Sequence, residues 1–144
     1  MTHWILIADR SHARIVEPNA PAFDGLREVK EFTHPEGRLQ HHEVVTDQQG
    51  RFRETAGGSH AGQPETDFAH ETAETFAGEL TEYLEKNRQA NRFSELSIVA
   101  SPMFLGVLRG KFPAPLSQIV KHEIDKNYTS LDIRELYDRL EEIL

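Results

Sequence analysis

The chain has 144 residues, the length of one domain, and can bury enough apolar surface to fold without a disulfide or metal staple. Sixteen Lys and Arg against 24 Asp and Glu give a net charge of -8, which excludes a broad basic face for polyanions but not a small local one. The absence of cysteine excludes disulfides, zinc-thiolate sites and a cysteine nucleophile.

The N-terminal apolar run, Trp4 to Ala8, is too short for a secretory signal, and nothing approaches the roughly 20 apolar residues of a membrane span. A soluble cytoplasmic protein with no membrane partner is expected. His3 to Ala8 (HWILIA) is continuously apolar, which predicts a strand covered on both faces, and Asp9 follows it as a turn residue. Ala13 to Glu17 (ARIVE) predicts a second strand. Only Asp9 to His12 separates the two, so they should pair as a hairpin. After a turn-rich connection from Pro18 to Gly25, Leu26 to Phe32 (LREVKEF) reads as alternating apolar and charged residues with period two, a third strand with one wet face.

From His34 to Thr66 the periodicity fails, and glycine is frequent. A connection this long inside a domain is functional or mobile, and a mobile loop is predicted over about 34–66, with a short strand or helix admissible at Leu39 to Val45. Glu65 to Arg88 then carries the strongest helix signal, with Phe68, Thr72, Ala73, Phe76, Ala77, Leu80 and Leu84 at steps of three and four. Thr66 serves as N-cap, Lys86 and Arg88 complement the dipole in the last turn, and the acidic residues take the opposite, solvated face.

Leu96 to Ala100 (LSIVA) predicts a buried strand. Ser101-Pro102 supplies an N-cap and a first-turn proline for a helix over Met103 to Arg109, with Met103, Phe104 and Leu105 assigned to the core and Gly106 to close packing or a bend. Phe112 to Leu116 reads as a connection and Ile119 to Ile124 as an alternating strand. Asp132-Ile-Arg-Glu135 is a capping box opening a terminal helix with Leu136, Leu140 and Ile143 inward. The order predicts a single-domain α/β fold, a mixed β-sheet of about five strands flanked by helices.

Five histidines fall between His34 and His70, at spacings that match no metal motif, and are read as solvated. Asp9 reads as a turn cap rather than a metal-binding acid, because nothing in the spacing of Glu43, Asp47 or Asp67 brings companions to it. Ser101 lacks the glycines of a nucleophile elbow. No cofactor and no metal are expected.

Three segments, WILIADRSHARIVE (Trp4 to Glu17), TDQQGRFRETAGGSHAGQPETD (Thr46 to Asp67) and SIVASPMFLGVLR (Ser97 to Arg109), resemble the bacterial host attachment protein family. That family is similar to the middle domain of archaeal and eukaryotic peptide chain release factors, and the resemblance implies a fold related to ribonuclease H. In those release factors a Gly-Gly-Gln loop, between the third strand and a long helix, enters the ribosomal peptidyl transferase centre. The equivalent stretch here is Gly57 to Gln63 (GGSHAGQ). It departs from the release-factor pattern in placing Gly57-Gly58 upstream of Gly62-Gln63.

The resemblance implies a catalytic role for Gln63, aiming a backbone N–H and an amide at an ester carbonyl and its attacking water. Gly57, Gly58 and Gly62 would permit close backbone approach to RNA, and Arg51, Arg53 and His60 would contact phosphates. The implied function is a domain acting at the ribosome or on tRNA, with peptidyl-tRNA hydrolysis as its boldest form. The alternative is a noncatalytic adaptor that affects bacterial attachment to host cells through a protein partner. A metal-dependent nuclease built on Asp9 ranks third, and the oligomeric state stays open.

Overall fold

The structure, a computed structural model, describes residues 2–18, 25–34 and 63–143, without the side chains of 63–70 and 143. The elements follow as β1 (His3–Ala8), β2 (His12–Pro18), β3 (Leu26–Thr33), α1 (Gln63–Gln89), β4 (Glu95–Ala100), α2 (Pro102–Lys111), α3 (Ala114–Ser117), β5 (Val120–Ile124) and α4 (Ile133–Leu140). A 3-10 turn at Glu141–Ile143 comes last. The strands form one sheet in the order β3-β2-β1-β4-β5. β1 pairs antiparallel with β2 and β2 with β3, whereas β1–β4 and β4–β5 are parallel. The α/β class and five-stranded mixed sheet are as expected, and the topology is compatible with the implied relation to the ribonuclease H fold.

β1 is apolar on both faces because both faces are covered. Trp4, Leu6 and Ala8 join Ala13, Ile15, Leu96 and Ile98 under Phe76, Leu80 and Leu84 of α1 and Phe104, Leu105 and Leu108 of α2. Ile5 and Ile7 point the other way and meet Val16, Val99 and the two inward leucines of α4, Leu136 and Leu140. Each fully buried side chain of this size contributes about 1.5–3 kcal/mol. The smaller layer is fixed by the capping box, in which the Asp132 carboxylate accepts from Glu135 N–H and the Glu135 carboxylate accepts from Asp132 N–H.

Several local expectations change. The apolar residues of β3, Leu26, Val29 and Phe32, are three apart rather than two. A β-bulge accommodates them: Ile15 faces Lys30 and Val16 faces Glu28, so Val29 is an extra residue. Leu26 therefore packs with the α4 layer while Val29 and Phe32 pack with the α1 layer. A second bulge lies in β5, where Leu96 faces Val120 and Ser97 faces His122, leaving Lys121 extra. The proline-rich connection closes into one helical turn, α3, since Pro115 sits in a first turn whose N–H groups lack helical partners anyway.

Met103 is 46% exposed while Phe104 and Leu105 are buried, because three consecutive helical positions cannot share one face. Gly106 is not a close-packing residue, as a Cβ placed there meets nothing within 4 Å.

α1 begins at Gln63, earlier than the expected cap at Thr66. Pro64 is tolerated in the first turn for the same reason as Pro115. The helix ends in a Schellman arrangement: Arg92 N–H donates to Asn87 C=O and Asn91 N–H to Arg88 C=O, with Asn91 at φ 59°. The loop expectation for 34–66 otherwise lies outside the described residues, as does the Leu39 to Val45 segment.

Asn91→Gly should raise stability by about 0.5–1 kcal/mol by relieving the left-handed conformation, and Asn91→Ala should lower it by about 1 kcal/mol. Urea denaturation checks both, as a shifted midpoint with an unchanged slope.

Candidate functional site

The chain builds β1 to β3 outward on one side of β1 and β4 to β5 on the other. The order reverses between β1 and β4, and ligand sites of open α/β sheets lie outside the carboxyl ends of the strands at such a point. Ala8 and Ala100 are register partners there, and Ser101 N–H donates to Ala8 C=O at 3.3 Å. The residues at this end are therefore Asp9 and Ser101, with their neighbours.

Asp9 is a hydrogen-bond hub. Its Oδ1 accepts from Ser11 N–H at 2.9 Å, His12 N–H at 2.8 Å and Ser11 Oγ at 3.1 Å. Its Oδ2 accepts from Thr129 Oγ1 at 3.0 Å and Asn127 Nδ2 at 3.2 Å. Burial pushes the Asp9 carboxyl up, but hydrogen bonds from Ser11, Thr129, Asn127 and His12 outweigh it and hold the group below its ordinary range. Both oxygens thus serve the β1–β2 turn and its tie to the loop before α4. Among the described residues no three His, Asp or Glu side chains are grouped to hold a metal ion.

Ser101 occupies the N-cap position of α2, with Pro102 opening the helix, but its side chain makes no capping bond among the described residues. Beside it Pro102, Leu105, Arg109, Glu123 and Asp125 line a hollow of about 410 Å³, in which Arg109 Nε donates to Glu123 Oε1 at 2.6 Å. His34, expected to be solvated, is buried, stacked on Phe76 with ring centroids 5.0 Å apart, and its backbone N–H donates to Ser11 C=O at 2.8 Å. His34, the last described residue before Gln63, therefore lies at this end of the sheet.

The long helix α1 begins toward the same end. Ser94 N–H donates to Thr2 C=O at 2.9 Å, so the far end of α1 meets the beginning of β1, while Phe76 sits between His34 and Phe104. α1 therefore runs back down the sheet, with Gln63, its first residue, toward the carboxyl ends of β1, β3 and β4. Arg51, Arg53, Gly57, Gly58, His60 and Gly62 lie outside the described residues, as do Glu43, Asp47, His41 and His42. Of Gln63, Asp67 and His70 only the helical backbone is described.

Asn127 and Thr129 were not singled out from sequence, and a separation of well over 100 residues from Asp9 leaves no local signal. Arg14 was missed too: it is buried, its Nε donates to Glu28 at 3.0 Å and its Nη1 to Leu131 C=O, which pins the same loop from beneath. Arginine inside an otherwise apolar strand was the available clue. At the opposite end of the sheet His3 Nε2 lies 2.7 Å from Ser97 Oγ. Burial, with His122 and Lys121, lowers the His3 pKa against the pull of Glu95. Ser97 is wholly buried, so this pair is closed to a substrate.

A family model described as "Protein required for attachment to host cells" matches residues 4–140. No curated protein matches the chain. No helix among the described residues is long and apolar enough to cross a membrane.

Asp9→Ala should cost about 2–3 kcal/mol, because it strands two backbone N–H donors and unties Asn127 and Thr129. The folded carboxyl has the lower pKa, so its stabilisation is fully present above the ordinary carboxylate range and is lost as the pH falls through the folded value. The difference in unfolding free energy between wild type and Asp9→Ala should therefore narrow below about pH 4, as thermal melts across an acid series would show.

Proposed function

Because the chain belongs to the host attachment family, whose members are described as required for attachment to host cells, we propose that it acts as a release-factor-like domain. In this reading it presents the stretch ending at Gln63 to ribosomal RNA or tRNA. The observation that carries the reading is the placement of Gln63. It is the first residue of the long helix α1, which begins toward the carboxyl ends of β1, β3 and β4. The first N–H groups of a helix have no intrahelical partner, and the dipole there favours anions, which suits a phosphate or a developing oxyanion.

Arg51, Arg53 and His60 supply the phosphate contacts, and Gly57, Gly58 and Gly62 allow the backbone to come close. The acidic side of α1, with Glu71, Glu79 and Glu82 exposed, turns away from RNA. In the catalytic form Gln63 orients water at the ester of peptidyl-tRNA. The noncatalytic adaptor reading is favoured by one observation, the separation of Gly57-Gly58 from Gly62-Gln63. It predicts partner binding without peptide release.

Purified protein should cosediment with ribosomes at low salt and be lost steeply as salt rises, and Arg51→Ala with Arg53→Ala should flatten that dependence. Gln63→Ala should leave cosedimentation intact and reduce peptide release on the order of a hundredfold. Failure to cosediment overturns the reading. Binding with release unchanged by Gln63→Ala removes the catalytic form.

A further inference from the structure

On the side of the sheet that α4 covers, three neighbouring strands carry polar residues just before the apolar ones. Side chains two apart on a strand share a face. His3 therefore lies on the face of Ile5 and Ile7, and Ser97 on the face of Val99, all of which pack with the α4 layer. His122 joins them through the bulge in β5. Val120 packs with the α1 layer and Ile124 with the α4 layer, although a regular strand would keep both on one face. The extra residue Lys121 reverses the facing of the strand and sets His122 beside Ser97, and re-aiming a side chain is what bulges are used for.

The result is a row across β1, β4 and β5: His3, Ser97 and His122. Ser97 is wholly buried, and its one side-chain partner among the described residues is His3 Nε2 at 2.7 Å. A buried hydroxyl needs an acceptor for its proton, so Ser97 donates and the Nε2 of a neutral imidazole accepts. Protonated His3 has two N–H donors and no acceptor. The Ser97 hydroxyl must then turn to accept, and its own proton loses its partner.

The surroundings of His3 also disfavour its charged form. Burial acts most strongly, His122 and Lys121 of β5 act with it, and Glu95 of β4 acts against it, so that the His3 pKa lies below its ordinary value. Glu17 of β2 points to the other face, where it accepts from Trp4 Nε1 at 3.0 Å and from Arg27. Arg139 of α4, and Glu141 and Glu142 after it, are exposed and do not bear on His3. An open form, with His3 in water, thus takes up a proton more readily than the closed one. By linkage the closed form has its full stability above the ordinary histidine value, about 6.5, and loses it as the pH falls from there through the lower folded value.

β5 is the element that can yield. It is an outer strand of five residues, none of them fully buried, and it pairs only with β4. We propose that the row is a pH-sensitive latch on this edge: protonation of His3 reverses its bond to Ser97, sets a cation beside Lys121 and His122, and releases β5 from β4. The latch lies at the end of the sheet away from Gln63 and is independent of the function proposed for that residue.

Hydrogen exchange of the full chain, resolved by residue and corrected for the intrinsic rate at each pH, tests the latch. Between about pH 7.5 and about pH 5.5, across the histidine range, protection of the β5 amides should fall on the order of tenfold, the effect of stranding one buried hydroxyl, while that of β2 and β3 holds. His3→Gln offers Ser97 an amide oxygen that does not titrate, and should remove the response without loss of protection at the higher pH. His122→Gln, at an exposed position, should raise the pH at which the His3 ring protons titrate by nuclear magnetic resonance. The proposal is overturned by β5 protection independent of pH, by a loss shared equally with β2 and β3, by a response that survives His3→Gln, or by a His3 titration that His122→Gln leaves unmoved.

Discussion

A short strand whose side chains are apolar on both sides has to be covered twice, and in this chain β1 imposes that requirement on everything that follows it. Its Leu6 and Ala8 side is roofed by α1 and α2 and its Ile5 and Ile7 side by α4. The two roofs arrive by different routes. α1 and α2 flank β4 in the chain, so covering one face also places a parallel partner beside β1. α4 comes last and must cross the carboxyl end of the sheet to reach the other face. The loop that makes this crossing is where polar chemistry concentrates.

That crossing is held by hydrogen bonds to charged side chains as well as by the packing of Tyr128 and Leu131. Asp9 grips it from the β1–β2 turn through Asn127 and Thr129, and Arg14 grips it from β2 through the carbonyl of Leu131. A buried guanidinium is costly unless its donors are met, and here a carboxylate and a carbonyl meet it. The arrangement explains why a carboxylate at the end of β1 is not free for chemistry. Its lone pairs are committed to keeping the second roof in place, at the end of the sheet toward which α1 begins.

What was legible in the sequence was what is local. The HWILIA run, the four-residue hairpin connection, the amphipathic spacing of α1 and the Asp132-Glu135 capping box each encode their structure within a few residues, and each forms as expected. The bulges at Val29 and Lys121 were not legible, because a bulge is a relation between two strands and the sequence of one strand does not carry it. The burial of His34 depends on Phe76, and the ties of Asp9 depend on residues at the far end of the chain. The Gly57 to Gln63 reading rests on resemblance and order alone, and the geometry contributes the position of the helix entry.

The two bulges have a further consequence. β3 and β5 are the outer strands of the sheet, and both are irregular and rich in charge, the devices by which natural sheets resist edge-to-edge growth. Main-chain ladders to a partner are thereby discouraged on either flank, and self-association into longer sheets is discouraged with them. Recognition by strand addition needs a regular, unpaired edge, and neither of the described outer strands offers one.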